Sequence, residues 1–302
     1  MARRERQRMS SGSCSGFHVL PEGCIANTLS LTSPKDACRL SSVASMFRSA
    51  AESDAVWERF LPSDYRNIIS RSIDGADSLL SEFRSKKELY FHLCHVPLLI
   101  DGGTKSFSLD KETGKKCFML AARDLLIVWG DTPQYWEWIS VHESRFPEVA
   151  ELIRVCWLEV RGKIKASMLS SGTRYSAYLV FTTSPRFQGF DYEPAESLVG
   201  ISKHDGQKRT VCLDPRGAVY RNLPFYHRTP PLYRWRQSNM PIDRNTEYPK
   251  SRADGWMEVE LGEFLVEGKQ DSDVEISLME VKGGNWKHGL IIQGIEARPK
   301  AG

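Results

Sequence analysis

No apolar run in this 302-residue chain approaches the roughly 18 residues that span a bilayer, and no basic start leads into an apolar segment of secretory type. A disulfide framework or a structural zinc site is equally unsupported. The seven cysteines (Cys14, Cys24, Cys38, Cys94, Cys117, Cys156 and Cys212) stand singly, without a C-x-x-C pair. No Asn is followed at the second position by Ser or Thr, so N-glycan acceptors are absent. An excess of one charge is missing too: 41 Lys plus Arg against 38 Asp plus Glu leaves +3, too little to announce a nucleic-acid surface. The one basic stretch, Arg3, Arg4, Arg6 and Arg8, is interrupted by Glu5 and Gln7 and fits a disordered tail over residues 1–16. The expectation is a cytoplasmic and nuclear protein with no cofactor, metal, membrane or nucleic-acid partner.

What remains is an ordinary soluble composition, 41% apolar and 26% charged, in a chain long enough for two domains. Its most distinctive stretch is Ala121 to Trp138. An apolar strand over Leu125–Trp129 enters a Gly130-Asp131-Thr132-Pro133 turn and leaves it into Tyr135, Trp136 and Trp138. Rings at a turn either close a core or form a platform for a ligand.

Residues 17–62 carry helical signals. Pro21 starts a short helix bearing Ile25 and Leu29, one turn apart. Ser33 caps the next, with Pro34 at its first position and Asp36 at the positive end of the dipole; Ala37, Leu40, Ala44 and Phe47 then recur at helical spacing. Ser53 opens a third, ahead of Val56, Trp57 and Phe60. So many apolar side chains exceed the interior of about 45 residues, so some must face a partner chain or the next domain.

The segment FHVLPEGCIANTLSLTSPKDACRLSSVASMFRSAAESDAVWERFLP resembles an F-box, chiefly through Leu20-Pro21, Ser33-Pro34-Lys35-Asp36-Ala37 and Asp54-Ala55-Val56-Trp57. The resemblance implies docking on a Skp-type adaptor and, through it, on a cullin-RING ubiquitin ligase. Leu20, Pro21, Ile25, Pro34, Leu40, Val43 and Trp57 would make or support that interface.

Residues 63–95 read as a helical linker, with a start at Ser63-Asp64, a break at Asp74-Gly75 and a capping box from Ser85 to Glu88. His92, Cys94 and His95 lack a nearby fourth ligand and are assigned to packing. Residues 96–302 change texture to short alternating strands: 106–109, 116–119, 125–129, 153–160, 175–182, 197–202, 209–212, 255–261, 273–281 and 289–295. With no βα alternation, the expected class is α+β: a helical F-box followed by a jelly-roll-like β-sandwich. The proline-rich segment 223–249 would be a long surface excursion.

Residues from about Lys115 to Pro299, through AARDLLIVW, TPQYWEW, EVAELIRVCWLEVRGKI, YSAYLVF, DGWMEVELGEF, VEISLMEV and WKHGLIIQGIEARP, resemble the plant phloem-lectin domain typified by the tobacco leaf agglutinin. That likeness implies binding of N-acetylglucosamine-containing or related N-glycan structures. Carried over by motif, Trp129 and Trp136 are the sugar-binding tryptophans and Glu280 is one of two carboxylates, with Asp273 where the tobacco lectin has the other glutamate. The chemistry fits: the C–H face of a pyranose complements an indole ring, and its hydroxyls favour charged acceptors. Strand parity intrudes, since positions seven apart face opposite sides. Either a bulge near Leu278-Met279 realigns Glu280 with Asp273, or only one of them reaches the ligand.

The expected function is a non-catalytic substrate receptor of an SCF-type ligase that recognises target glycans. An adaptor whose sandwich recognises protein is the alternative, and a glycosidase using the two carboxylates a remote one. Trp157, Trp256 and Trp286 are assigned to the core or its closing turns, Trp138 to the site's flank or its underside, and Trp235 to a lone exposed Arg-Trp-Arg triplet.

Overall fold

The computed structural model describes residues 20–73, 75–191, 193–201, 206–217, 245–268 and 272–300. The basic tail, Asp74 of the expected break, residues 223–244 of the proline-rich segment and Trp235 lie outside them. The described residues form an α+β protein in which helices precede two antiparallel sheets.

The helices are α1 (Glu22–Ser30), α2 (Pro34–Ser41), α3 (Ser45–Ala51), α4 (Asp54–Phe60), α5 (Tyr65–Ser70), α6 (Ala76–Glu82) and α7 (Lys86–His95). Their starts follow the capping chemistry: Ser33 Oγ accepts from the Asp36 amide, and Ser85 Oγ from the Glu88 amide, both at 3.1 Å. The expected second helix is two. It breaks at Ser42–Ala44, where serines and β-branched Val43 favour the helix poorly and Ala44 is extended. The break leaves Val43 71% exposed.

The strands are β1 (Leu98–Ile100), β2 (Lys105–Leu109), β3 (Lys116–Ala121), β4 (Leu126–Ile127), β5 (Trp136–Ile139), β6 (Val149–Leu152), β7 (Leu158–Lys165), β8 (Thr173–Gln188), β9 (Ala195–Gly200), β10 (Gln207–Val211), β11 (Lys250–Ser251), β12 (Met257–Val266), β13 (Asp273–Glu280) and β14 (His288–Pro299). One sheet is ordered β1-β2-β3-β14-β8-β12-β11, with β6 pairing β14 and β5 pairing β6; the other is β10-β9-β13-β7-β4. Strict alternation puts Leu158, Val160 and Ile164 of β7 and Val274, Ile276 and Leu278 of β13 inward, against Phe118, Leu179, Phe181, Ile292 and Ile295 of the larger sheet.

Two expected strands are corrected. The 125–129 strand shrinks to β4, because a 3-10 turn over Ala122–Asp124 precedes it and a tight turn follows. Of the 153–160 strand only Leu158–Val160 are strand, the start of β7: β6 ends at Leu152 in the larger sheet and β7 belongs to the smaller, so residues 153–157 cross between them. β5, built on two tryptophans, was not anticipated as a strand.

Helices and sandwich share one core. Trp57 of α4 packs on Tyr90 and Phe91 of α7, with ring centroids 5.1 and 5.2 Å away. The Tyr90 hydroxyl in turn donates toward the Asp110 and Lys111 carbonyls of the β2–β3 hairpin loop, each at 3.2 Å. In that loop Asp110 Oδ1 accepts from the Thr113 amide and hydroxyl, and Gly114 adopts φ 70°, where a Cβ would stand 2.8 Å from the Phe60 carbonyl. Lys116 reaches Asp64 at 3.0 Å and Lys35 reaches Glu112 at 2.7 Å. A bidentate Arg71–Asp101 pair ties α5 to the β1–β2 turn at 2.7 and 2.6 Å.

Candidate functional site

The turn after β4 is held from outside by two indoles. Trp136 Nε1 donates to the Val128 carbonyl at 3.2 Å and Trp138 Nε1 to the Gly130 carbonyl at 3.0 Å. The turn closes on itself through Gly130 N to Ile127 O and Thr132 N to Trp129 O, both 2.9 Å. Between these fixed points Trp129 takes φ 60°, a left-handed conformation that a bulky residue keeps only where its surroundings impose it. Its indole is 45% exposed and lies against Tyr135, with ring centroids 5.3 Å apart. Trp136 is buried, and Trp138 is half-buried beneath the Arg123 guanidinium, 3.6 Å from its ring centroid. The two tryptophans named from the sequence thus divide the work: Trp129 is presented and Trp136 presents it.

The carboxylates are not brought together. β13 pairs with β7 without a register shift from Asp273↔Lys165 to Glu280↔Leu158, so no bulge realigns them. Seven strand steps, roughly 23 Å, separate them, and they point to opposite faces. Asp273 is exposed at the far end. Glu280 is at the end near Trp129, because the Val128 amide donates to the Glu159 carbonyl at 3.0 Å and Glu159 pairs with Met279. Its side chain is nevertheless buried, in an ion pair with the equally buried Lys287. Lys287 Nζ also donates to the Cys156 carbonyl at 3.0 Å and the Asn285 carbonyl at 2.9 Å. The pair therefore closes the loop from Val281 to Trp286 onto the 153–157 crossing, where Val155 and Lys287 form a bridge.

Two tryptophans that the sequence assigned to the core or its closing turns stand in solvent on this same edge. Trp157 is 44% exposed, since the alternation that turns Leu158 inward turns its neighbour out. Trp286 is 50% exposed at the end of the closed loop, with the Arg154 guanidinium 5.0 Å from its ring centroid. Trp157 Nε1 donates to Glu159 Oε2 at 2.9 Å, and Arg161 donates to Glu159 Oε1 at 2.7 Å. The indole N–H and then the guanidinium hold the Glu159 carboxyl below its ordinary range. The signal for Trp157 in the sequence was the phase of β7, which becomes readable only once its first inward residue is known. Trp256 does close the fold: it is buried and donates to the Glu143 carbonyl at 3.0 Å.

On the helical unit, Leu20 and Val43 are exposed, as are Pro21 and Leu31. Ile25, Pro34 and Trp57 are buried and Leu40 is half-buried, so these four shape the unit from within. Trp57 Nε1 donates to the Ala51 carbonyl at 2.7 Å, fixing α4 against the end of α3. Among the described residues no group of three or more His, Cys, Asp or Glu side chains is placed to hold a metal ion.

Fold and site together define a helical unit continuous with a β-sandwich whose one edge carries exposed aromatic rings. Residues 115–299 match the family described as phloem protein 2. The chain is similar to an Arabidopsis thaliana F-box protein at 47% identity over 286 residues, covering 94% of this chain and 81% of the relative. It is similar to two others from that plant, F-box protein PP2-B1 at 44% identity (95% and 90% covered) and F-box protein PP2-B10 at 43% (97% and 98% covered). The chain belongs to the phloem protein 2 family, alongside relatives that are F-box proteins.

Proposed function

We propose that this chain is the substrate-receptor subunit of an SCF-type, cullin-RING ubiquitin ligase. Its helical unit binds a Skp-type adaptor, and its sandwich binds N-acetylglucosamine-containing or N-glycan structures on target glycoproteins. The observation that carries the glycan half is Trp129: an exposed indole in a left-handed turn, fixed by two indole N–H donors, is a preorganised platform for the C–H face of a sugar. Trp136 and Glu280 act as positioning residues in this reading, and Asp273 lies too far along β13 to share the site. The same separation disfavours a glycosidase built on that carboxylate pair, since hydrolysis needs the two within about 5–10 Å. The adaptor half is supported by the apolar side chains left in water, Leu20, Leu31 and Val43, and by the F-box proteins among the relatives.

The receptor works by proximity in the cytosol or nucleus and catalyses nothing itself. A single shallow sugar site gives an affinity on the order of millimolar, about −4 kcal/mol, so productive capture draws on further contacts or on multivalency. A glycan array read with wild type and Trp129→Ala tests the sandwich: binding by wild type that disappears in the variant is the result expected. No glycan retained by either removes the lectin half and leaves an adaptor whose sandwich recognises protein. Co-purification with a Skp-type adaptor, lost in the double variant Leu20→Ala/Pro21→Ala, tests the helical unit; full retention would sink that half.

A further inference from the structure

We infer, resting on the glycan reading above, that the sugar site extends from Trp129 along the sandwich edge to Trp157 and Trp286, takes an oligosaccharide of at least two rings, and uses Glu159 as its carboxylate acceptor. Seven of the eight tryptophans lie in described residues. Trp57, Trp136 and Trp256 are buried and Trp138 is half-buried; the three in solvent, Trp129, Trp157 and Trp286, share one edge. Connectivity places them there. β4 pairs β7 through Ile127↔Val160, and the Val128–Glu159 hydrogen bond brings the chain beside the start of β7, next to Trp157. On the other side, the Val155↔Lys287 bridge lays Trp286 along the 153–157 crossing. Tyr135 links the ends: its ring meets Trp129, and its carbonyl accepts from the Arg154 amide at 3.3 Å, while the Arg154 guanidinium sits over Trp286.

These backbone contacts bring three exposed indoles to one edge of the sandwich. What distinguishes it from a protein-docking surface is its polar interleaving. Each ring is fastened by a hydrogen bond, a ring contact or a cation, and a carboxylate and a guanidinium stand between the rings. Alternating flat apolar faces and charged hydrogen-bonding groups match a chain of pyranoses, whose C–H faces and hydroxyls alternate likewise. One indole covers about one sugar ring, so platforms on three separate backbone segments call for a ligand longer than a monosaccharide. Glu159, unlike buried Glu280, is within reach of solvent and already oriented by Trp157 and Arg161.

Titration of the full chain with N-acetylglucosamine and its β1-4-linked trimer tests this. Wild type should bind the trimer more tightly than the monomer. Trp157→Ala and Trp286→Ala should each weaken trimer binding about fivefold to tenfold with monomer binding unchanged, as expected for loss of one stacking platform. Trp286→Tyr, which keeps a ring, should recover most of the trimer affinity and guards against a folding defect. Trp129→Ala should lose both ligands. Equal affinity of wild type for monomer and trimer, or full trimer affinity in both alanine variants, overturns the extended site while leaving the Trp129 site standing. No binding of either sugar by wild type overturns the parent reading and this one together.

Discussion

Two exposed apolar regions among the described residues differ in kind. On the helical unit Leu20, Leu31 and Val43 are aliphatic side chains with no polar group to restrain them. At the sandwich edge, beside exposed Leu126 of β4, stand three indoles, set by a strained turn, a carboxylate or a guanidinium. Aliphatic surface gains from burial against any complementary apolar face, and gains more the larger that face is. Fastened rings have already lost their rotational freedom and suit a small ligand that could not itself offset the ordering. Exposure alone therefore says little about partner type; what holds the exposed group in place says more.

The largest effect should come from Trp57→Ala, which tests whether the two regions depend on one core. Trp57 is fully buried between α4 and α7 and bonded to Ala51, so its truncation should cost about 3–5 kcal/mol in denaturant unfolding. Sandwich and helices should unfold in one transition; two separate transitions, followed by tryptophan fluorescence and far-ultraviolet circular dichroism, would break the picture of a shared core.

Next comes the buried pair behind the aromatic edge. Glu280→Ala leaves Lys287 as an uncompensated buried cation and should cost about 3 kcal/mol, whereas Glu280→Leu/Lys287→Met should regain most of the loss. If the pair acts on the ligand only by closing the Trp286 loop, the double variant should also keep its glycan binding. A double variant that is stable yet has lost the sugar would give Glu280 a direct role and blur the contrast drawn here.

Trp136→Phe is a finer test of fastening. It keeps a ring in the core but removes the donor to Val128, costing about 1 kcal/mol of stability. Glycan affinity should fall although no ligand-facing atom has changed, and unaltered affinity would show that Trp129 needs no such support.

The smallest effect belongs to Arg71–Asp101. The guanidinium holds the Asp101 carboxyl below its ordinary range. A carboxyl lowered on folding contributes stability that is present above its unfolded value of about 3.9 and is lost as pH falls through the lower folded value. Asp101→Asn should accordingly remove under about 1 kcal/mol at neutral pH, given the pair's partial exposure, and flatten the acid side of the stability curve below about pH 4. An acid limb identical to wild type would exclude the pair from the coupling of α5 to the sandwich.

Local signals carried much of this into the sequence. The caps at Ser33 and Ser85 and the Asp110–Gly114 hairpin loop depend on residues within four positions of one another, and all three could be placed from spacing. Period-two alternation located β13 to within a residue, whereas the expected 153–160 strand shares only Leu158–Val160 with β7. What spacing could not convey was change of sheet: Ile153 to Val160 is apolar apart from Arg154 and Glu159, and nothing in its composition marks the crossing after Leu152. The same blindness hid the outward facing of Trp157. At Glu280 the parity conflict with Asp273 was visible, but its resolution lay in Lys287, a partner presented by the turn that follows the strand.

The hairpin loop that receives Tyr90 also sets a length scale. Because α7 is bolted to β2–β3 by packing, a hydroxyl and flanking ion pairs, the aromatic edge stands at one azimuth and one distance from the helical unit. On the function proposed above, a receptor of this build is a ruler rather than a tether. The lysines it would offer for modification on a captured glycoprotein are then set by how far each lies from the sugar attachment point, so moving a glycan along a target should change which lysines are modified.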